Sequence, residues 1–208
     1  MRLQGLIILL LVTCTTAAAP PTTEAPLFLQ MVAVSPEAGA SPPFDQHWSI
    51  FLDGIIDDGA PSRLERFLDR RDVAGAVVYL NSPGGSLTAA MELGRILRAA
   101  KFEAHVGARA ADTGKLVAAV CYGACPFALA GGVKRQLEPG SVLGVHRAEN
   151  RIPEPDEDAV QRRARFASLN YLAEMGIDAA LIDLMETVPY DTIRPLSDDE
   201  ARRVGLLN

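Results

Sequence analysis

Residues 77–97, VVYLNSPGGSLTAAMELGRIL, hold the pattern from which the fold is read. A continuous apolar run, VVYL, is the mark of a strand buried on both faces. Asn81–Ser82–Pro83 then breaks the strand, because proline fixes its own φ and donates no hydrogen bond. Gly84 and Gly85 follow, and glycines in such a turn let backbone N–H groups face a ligand with no Cβ in the way. Ser86 is placed to cap a helix that carries Leu87, Ala90, Met91, Gly94 and Leu97 at helical spacing. Strand, glycine turn and helix in this order predict an α/β fold.

The pattern repeats outward. HWSIFLDGII reads as a strand with alternating apolar character around Ile50 and Leu52, and APSRLERFLDRRD as a helix with Leu64, Phe67 and Leu68 on one face. FEAHVG, LVAAVC and SVLGVH read as further strands, and 108–115 as a polar loop. Long and short helices follow at DEDAVQRRARFASLNYLAEMG and DAALIDLMETV. The last helix opens at SDDEARRVG, where Ser197 and Glu200 have capping-box spacing. The expectation is a largely parallel sheet covered by helices.

The chain has 208 residues, 49% of them hydrophobic and 22% charged, which suits one domain with a sizeable core. Net charge is −6, from 20 basic and 26 acidic residues, and no basic stripe with interleaved aromatics occurs; nucleic acid is not expected as a partner. At the N-terminus, Arg2 precedes the apolar run Leu6–Val12, too short to span a bilayer, with small residues at Thr16–Ala18. This is the form of a signal peptide over residues 1–18 and implies export, to the periplasm or another extracytoplasmic place. LVTC, ending at Cys14, offers lipoprotein processing as the alternative and the one route to a membrane. Residues 19–45 read as a Pro/Ala/Thr-rich linker or arm, with LFLQMVAV as a short strand, and residues 46–208 as the folded domain.

Two cysteines remain beyond the leader, Cys121 and Cys125. If both lie on one helix, their spacing disfavours a bridge and the reading is two small buried side chains; a kink at Gly123 would permit a disulfide. No second Cys or His pair lies nearby in sequence, so neither a metal nor a cofactor is expected. VCYGACPFALAGG, residues 120–132, runs from an apolar strand through a tight glycine turn into a small-residue helix. It has the shape of a nucleophile elbow with glycine at its tip. His146 closes the strand SVLGVH and is a candidate base for anything at that tip. On its own, such a histidine is more often structural.

In order and spacing these stretches resemble the Clp protease proteolytic subunit, within the Clp/crotonase superfamily to which signal-peptide peptidases are related. VVYLNSPGGSLTAAMELGRIL is similar to that family's strand, glycine loop and helix. GACPFALAGGVKRQLEPGSVLGVH is similar to its nucleophile helix, basic turn and histidine strand, and PLSDDEARRVGLLN to its closing helix. The resemblance covers residues 47–208 and implies repeated β-β-α units, a serine-peptidase site and assembly through the helices bordering that site, here 156–175. Val160, Phe166, Leu169 and Leu172 offer apolar surface either for core packing or for the contact of such a homo-oligomer, and a peptide or protein would be the ligand.

Carried over, the family's oxyanion-binding glycines fall on Gly84 and Gly85, with the Ala124 N–H as the second donor. Its histidine falls on His146 and its acid, with a small gap, on Asp191 in PYDTIRPLS. Its nucleophilic serine falls on Gly123, which has nothing to attack with. Cys125 lies two residues on, rotated by about 200° around a helix, and so away from the histidine. Ser82 and Ser86 read as turn and cap residues. Lys115 and Lys134 would supply the base of a Ser/Lys dyad, but that scheme also needs the serine. The expectation is a non-catalytic or altered peptide- or acyl-binding protein. The alternatives are a hydrolase with another nucleophile and, last, an acyl-thioester enzyme of the crotonase kind.

Overall fold

The computed structural model describes residues 28–37, 44, 46–149 and 156–208. Residues 1–18, read above as a leader that includes Cys14, and most of the stretch read as an arm lie outside the described residues. Strand β1 (Gln30–Val34) pairs antiparallel with β2 (Ser49–Asp53), Val32 opposite Phe51. β2 then runs parallel to β3 (Val77–Asn81), β3 to β4 (Glu103–Val106), and β4 to β8 (Arg135–Leu137). These five form one sheet in the order β1-β2-β3-β4-β8. A second sheet of three strands has the order β10-β9-β7, from β7 (Val120–Tyr122), β9 (Val142–Val145) and β10 (Arg194–Pro195). β7 and β9 are parallel, and β10 closes the edge antiparallel.

The architecture is thus mixed α/β rather than largely parallel. Antiparallel strands stand at one edge of each sheet, and the expected polar loop 108–115 belongs to a small hairpin of β5 (Ala108–Arg109) and β6 (Leu116–Val117). LVAAVC is therefore two strands, split at Ala118–Ala119. Two- and three-residue strands carry too little alternation to be read from sequence.

Helices α1 (Ala60–Leu68), α2 (Leu87–Ala99) and α3 (Cys125–Ala130) bury Leu64, Leu93, Leu97 and Phe127 with Ile50, Leu52, Val78 and Leu80 of the sheet in the main core. Four of the five β2 residues are buried, not every other one, because the opposite face of the sheet is also covered. There Phe51 stacks on Tyr79, ring centroids 5.0 Å apart, with Val34, Phe44 and Leu116 around them. Beyond Tyr79 on that face, buried His105 lies between Glu138 at 3.1 Å and Glu103 at 3.3 Å.

Two long side chains fix α3, the helix that matters for the site. The Arg98 guanidinium, from the last turn of α2, donates to the carbonyls of Ala130 and Gly131, both at 2.9 Å. It thereby satisfies carbonyls that a helix end leaves without partners. Tyr171, on α4 (Glu157–Met175), is fully buried and donates to the Phe127 carbonyl at 2.6 Å. Burial holds that phenol above its usual ionisation range. α5 (Ala180–Glu186) and α6 (Asp198–Arg203) complete the chain, and Ser197 and Glu200 form a reciprocal capping box on α6.

Gly94 lets α2, α3 and α4 meet: a Cβ there would stand 1.8 Å from the Tyr171 hydroxyl and 2.8 Å from the Phe127 carbonyl oxygen. Gly94→Ala is expected to lower stability by about 3 kcal/mol through overpacking. Tyr171→Phe alone should cost about 1–2 kcal/mol, from a buried hydrogen bond lost. In the double variant the hydroxyl that the alanine strikes is gone, so urea unfolding should give a loss smaller than the sum.

Candidate functional site

The two sheets touch where β3 ends. The Ser82 N–H donates to Val120 O at 2.8 Å, and the Tyr122 N–H donates back to Ser82 O at 3.0 Å, so β3 is carried on by one bridge against β7. Directly after that bridge β7 turns into α3. Gly123 makes the turn at φ +58°, and Ala124 is the N-cap of α3. L-residues seldom adopt that φ, so glycine carries no steric cost here.

This corrects the reading of the two cysteines. Cys121 sits on the strand and only Cys125 on the helix; the chain reverses between them, their Cα atoms are 5.2 Å apart, and they form a disulfide. The helical spacing that disfavours a bridge does not apply, since the turn at Gly123 intervenes. Both cysteines are fully buried. The bond also leaves Cys125 without a free thiol to serve as nucleophile.

The glycine loop lies between two backbones. Ile56 N–H donates to Gly84 O at 2.9 Å and Ser86 N–H donates to Ile56 O at 2.7 Å, clamping one side. A Cβ on Gly85 would stand 2.2 Å from Ile56 O, and one on Gly84 would stand 2.9 Å from Tyr122 O and 3.2 Å from Ala124 N. Ser82 stabilises the turn from within: its hydroxyl accepts from Gly84 N–H at 3.1 Å and lies 3.2 Å from Gly84 O. Ser86 caps α2, accepting from Ala89 N–H. Of the three candidate oxyanion donors, the Gly84 N–H is therefore taken by Ser82. The Gly85 and Ala124 N–H groups donate to no acceptor among the described residues.

His146 follows β9 and reaches the tip of the elbow. A Cβ built on Gly123 would lie 2.7 Å from His146 Nε2. Nδ1 of the same ring is 2.8 Å from Arg147 O. A carbonyl oxygen only accepts, so Nδ1 carries the proton, and in the neutral ring Nε2 keeps its lone pair toward Gly123. Arg147 is itself pinned by its N–H to Val188 O at 3.0 Å, and Tyr190 meets the imidazole edge-on at 5.7 Å between centroids. Asp191 is exposed, and its carboxylate accepts from Thr192 Oγ1 at 3.4 Å; no hydrogen bond or ion pair joins it to His146. The orienting role expected of that acid is filled by a main-chain carbonyl, which no side-chain pattern in a sequence reveals. Lys134 pairs with Glu103 at 3.5 Å, and Lys115 is exposed.

A cleft of about 570 Å³ extends from the residues next to His146; its lining includes the apolar Leu87, Phe127, Ile182 and Met185 together with charged residues of both signs, Arg147, Arg162 and Arg165 with Glu149, Glu157 and Glu186. Among the described residues no helix is long and apolar enough to cross a membrane, and no cluster of ligating side chains could hold a metal ion.

No family model matches the chain, and no curated protein matches it. Among solved structures it is similar to a mutant of the 1510-N membrane-bound stomatin-specific protease, at 17% sequence identity and a TM-score of 0.49, over 77% of this chain and 75% of that one. A likeness at that level says nothing of residues, substrate or partners.

The clamp on the glycine loop ranks two substitutions. Gly85→Ala drives a methyl into three backbone atoms of Ile56 within 2.9 Å, whereas Gly84→Ala meets one backbone oxygen at that distance. Gly85→Ala should lower stability by about 3 kcal/mol or more and Gly84→Ala by less, read from urea midpoints at unchanged slope.

Proposed function

We propose that the chain is an exported protein of Clp-type serine-peptidase architecture in which Gly123 occupies the nucleophile position. On this reading it holds the carbonyl of a peptide or acyl ligand without forming an acyl-enzyme. One observation carries the reading. A side chain grown from Gly123 would point at His146, whose Nε2 lies 2.7 Å from the position of its Cβ, so that a residue there would face the imidazole as a nucleophile faces its base once the ring has drawn back from that contact. The order of glycine loop, elbow and histidine strand in the sequence supports it. So do the Gly85 and Ala124 N–H groups, which are donors of the kind that stabilise an oxyanion.

The leader over residues 1–18 supports export, and a lipid on Cys14 would be the route to a membrane. Assembly into a homo-oligomer would use α4, where Phe166 is 67% exposed while Leu172 is buried in the core. Light scattering on the purified domain reads that state directly.

With glycine at the tip of the elbow and Cys125 held in a disulfide, a fluorophosphonate probe should leave the wild-type protein unlabelled. Gly123→Ser should become labelled once the imidazole draws back from a contact closer than a Cβ tolerates and the turn accepts an L-residue at φ +58°. Adding His146→Ala should abolish that label. Labelling of the wild type that His146→Ala removes would refute the reading.

A further inference from the structure

We propose that His146 activates a water molecule beside Gly123, so that the site hydrolyses oxyesters of apolar carboxylic acids in one step. The inference rests on the reading above, that a carbonyl docks against the Gly85 and Ala124 N–H groups. Its starting point is the histidine. Because Arg147 O fixes the proton on Nδ1, the Nε2 lone pair is presented at the elbow, where a serine enzyme would offer it a hydroxyl. Glycine offers none.

Among the described residues, neither the serine of the glycine turn nor the cysteine of the elbow supplies one. Ser82 is fully buried and spends its hydroxyl on Gly84, and Cys125 is buried in its disulfide. His146 itself is half-exposed and borders the cleft through Arg147. The O–H that reaches Nε2 when a carbonyl is docked there is that of water.

In the step, water oxygen forms the bond to the carbonyl carbon while its proton passes to Nε2. The carbonyl electrons move onto oxygen, where the two N–H groups meet the charge. Collapse of the adduct breaks the bond to the alkoxy oxygen, which leaves with the proton returned by the imidazolium. Acid and alcohol depart, and the ring is neutral again. No covalent intermediate forms and no co-reactant besides water is consumed. Esters suit this route because an alkoxide or phenolate leaves far more readily than an amine, and there is no acyl-enzyme to divide the harder cleavage into two steps. The apolar part of the cleft lining, Leu87, Phe127, Ile182 and Met185, suits an apolar acyl chain.

The test uses p-nitrophenyl butyrate with the full folded domain. Wild-type protein should release nitrophenolate linearly from the start, with no burst equal to the enzyme added, and more slowly in deuterium oxide. His146→Gln should lower the rate about 100-fold or more at an unchanged unfolding midpoint, with His146→Ala as the second variant. Gly123→Ser should acquire the burst. An unchanged rate in both histidine variants, or a stoichiometric burst in the wild type, would overturn the proposal. If Gly123→Ser takes the fluorophosphonate label while the wild type shows no His146-dependent turnover, the proposal alone fails. If Gly123→Ser neither labels nor bursts, the docking reading has failed and the proposal with it.

Discussion

The arrangement of this molecule depends on how closely three backbones approach at the end of β3. Ile56, the Gly84–Gly85 pair and the Tyr122–Ala124 turn are in main-chain contact, with no side chain between them. That contact joins the two sheets, sets where α2 begins and holds the start of α3 beside the glycine loop. Hydrogen bonding and sterics work in the same direction. The bridges satisfy buried N–H and carbonyl groups, and the absent Cβ atoms let them form at ordinary length.

Around this junction the helices serve as braces. Arg98 and Tyr171 reach α3 from α2 and α4 and bond its carbonyls, so the short helix is held at several points although its own six residues give it little intrinsic stability. The disulfide ties the entry of the turn to its exit. The elbow is therefore a rigid frame, and its position relative to His146 is set by the parallel pairing of β7 with β9.

Most of this frame was legible in the sequence, for physical reasons. Continuous apolar runs mark β3, and helical spacing from Leu87 to Leu97 marks α2. The glycine pair has to lie where backbones meet, and Ser86, Ser197 and Glu200 are local capping signals independent of tertiary context. The disulfide cannot be read from spacing alone, because that spacing disfavours a bridge only if Cys121 and Cys125 share a helix, and the turn at Gly123 puts one on a strand and the other on a helix. The resemblance points to a carboxylate, Asp191, beside His146, whereas the acceptor is Arg147 O. Every residue has a carbonyl, so sequence gives no means of singling one out. The strands β5, β6, β8 and β10 are too short to show a period, and the antiparallel pairing of β1 with β2 rests on a strand direction that apolar patterning does not encode.

Gly123 has a consequence of an evolutionary kind. Its φ of +58° belongs to the turn and not to any chemistry of the residue, and the imidazole, the N–H groups and the cross-link stand around it regardless. Some glycine codons become serine codons by a single base change. A lineage with this scaffold is then one point mutation from a hydroxyl at the turn, at the cost of an L-residue at φ +58° and a shift of the His146 ring, and the same step reversed relieves both. In such a scaffold, a side chain facing the imidazole can be lost and regained with little change in the rest of the gene.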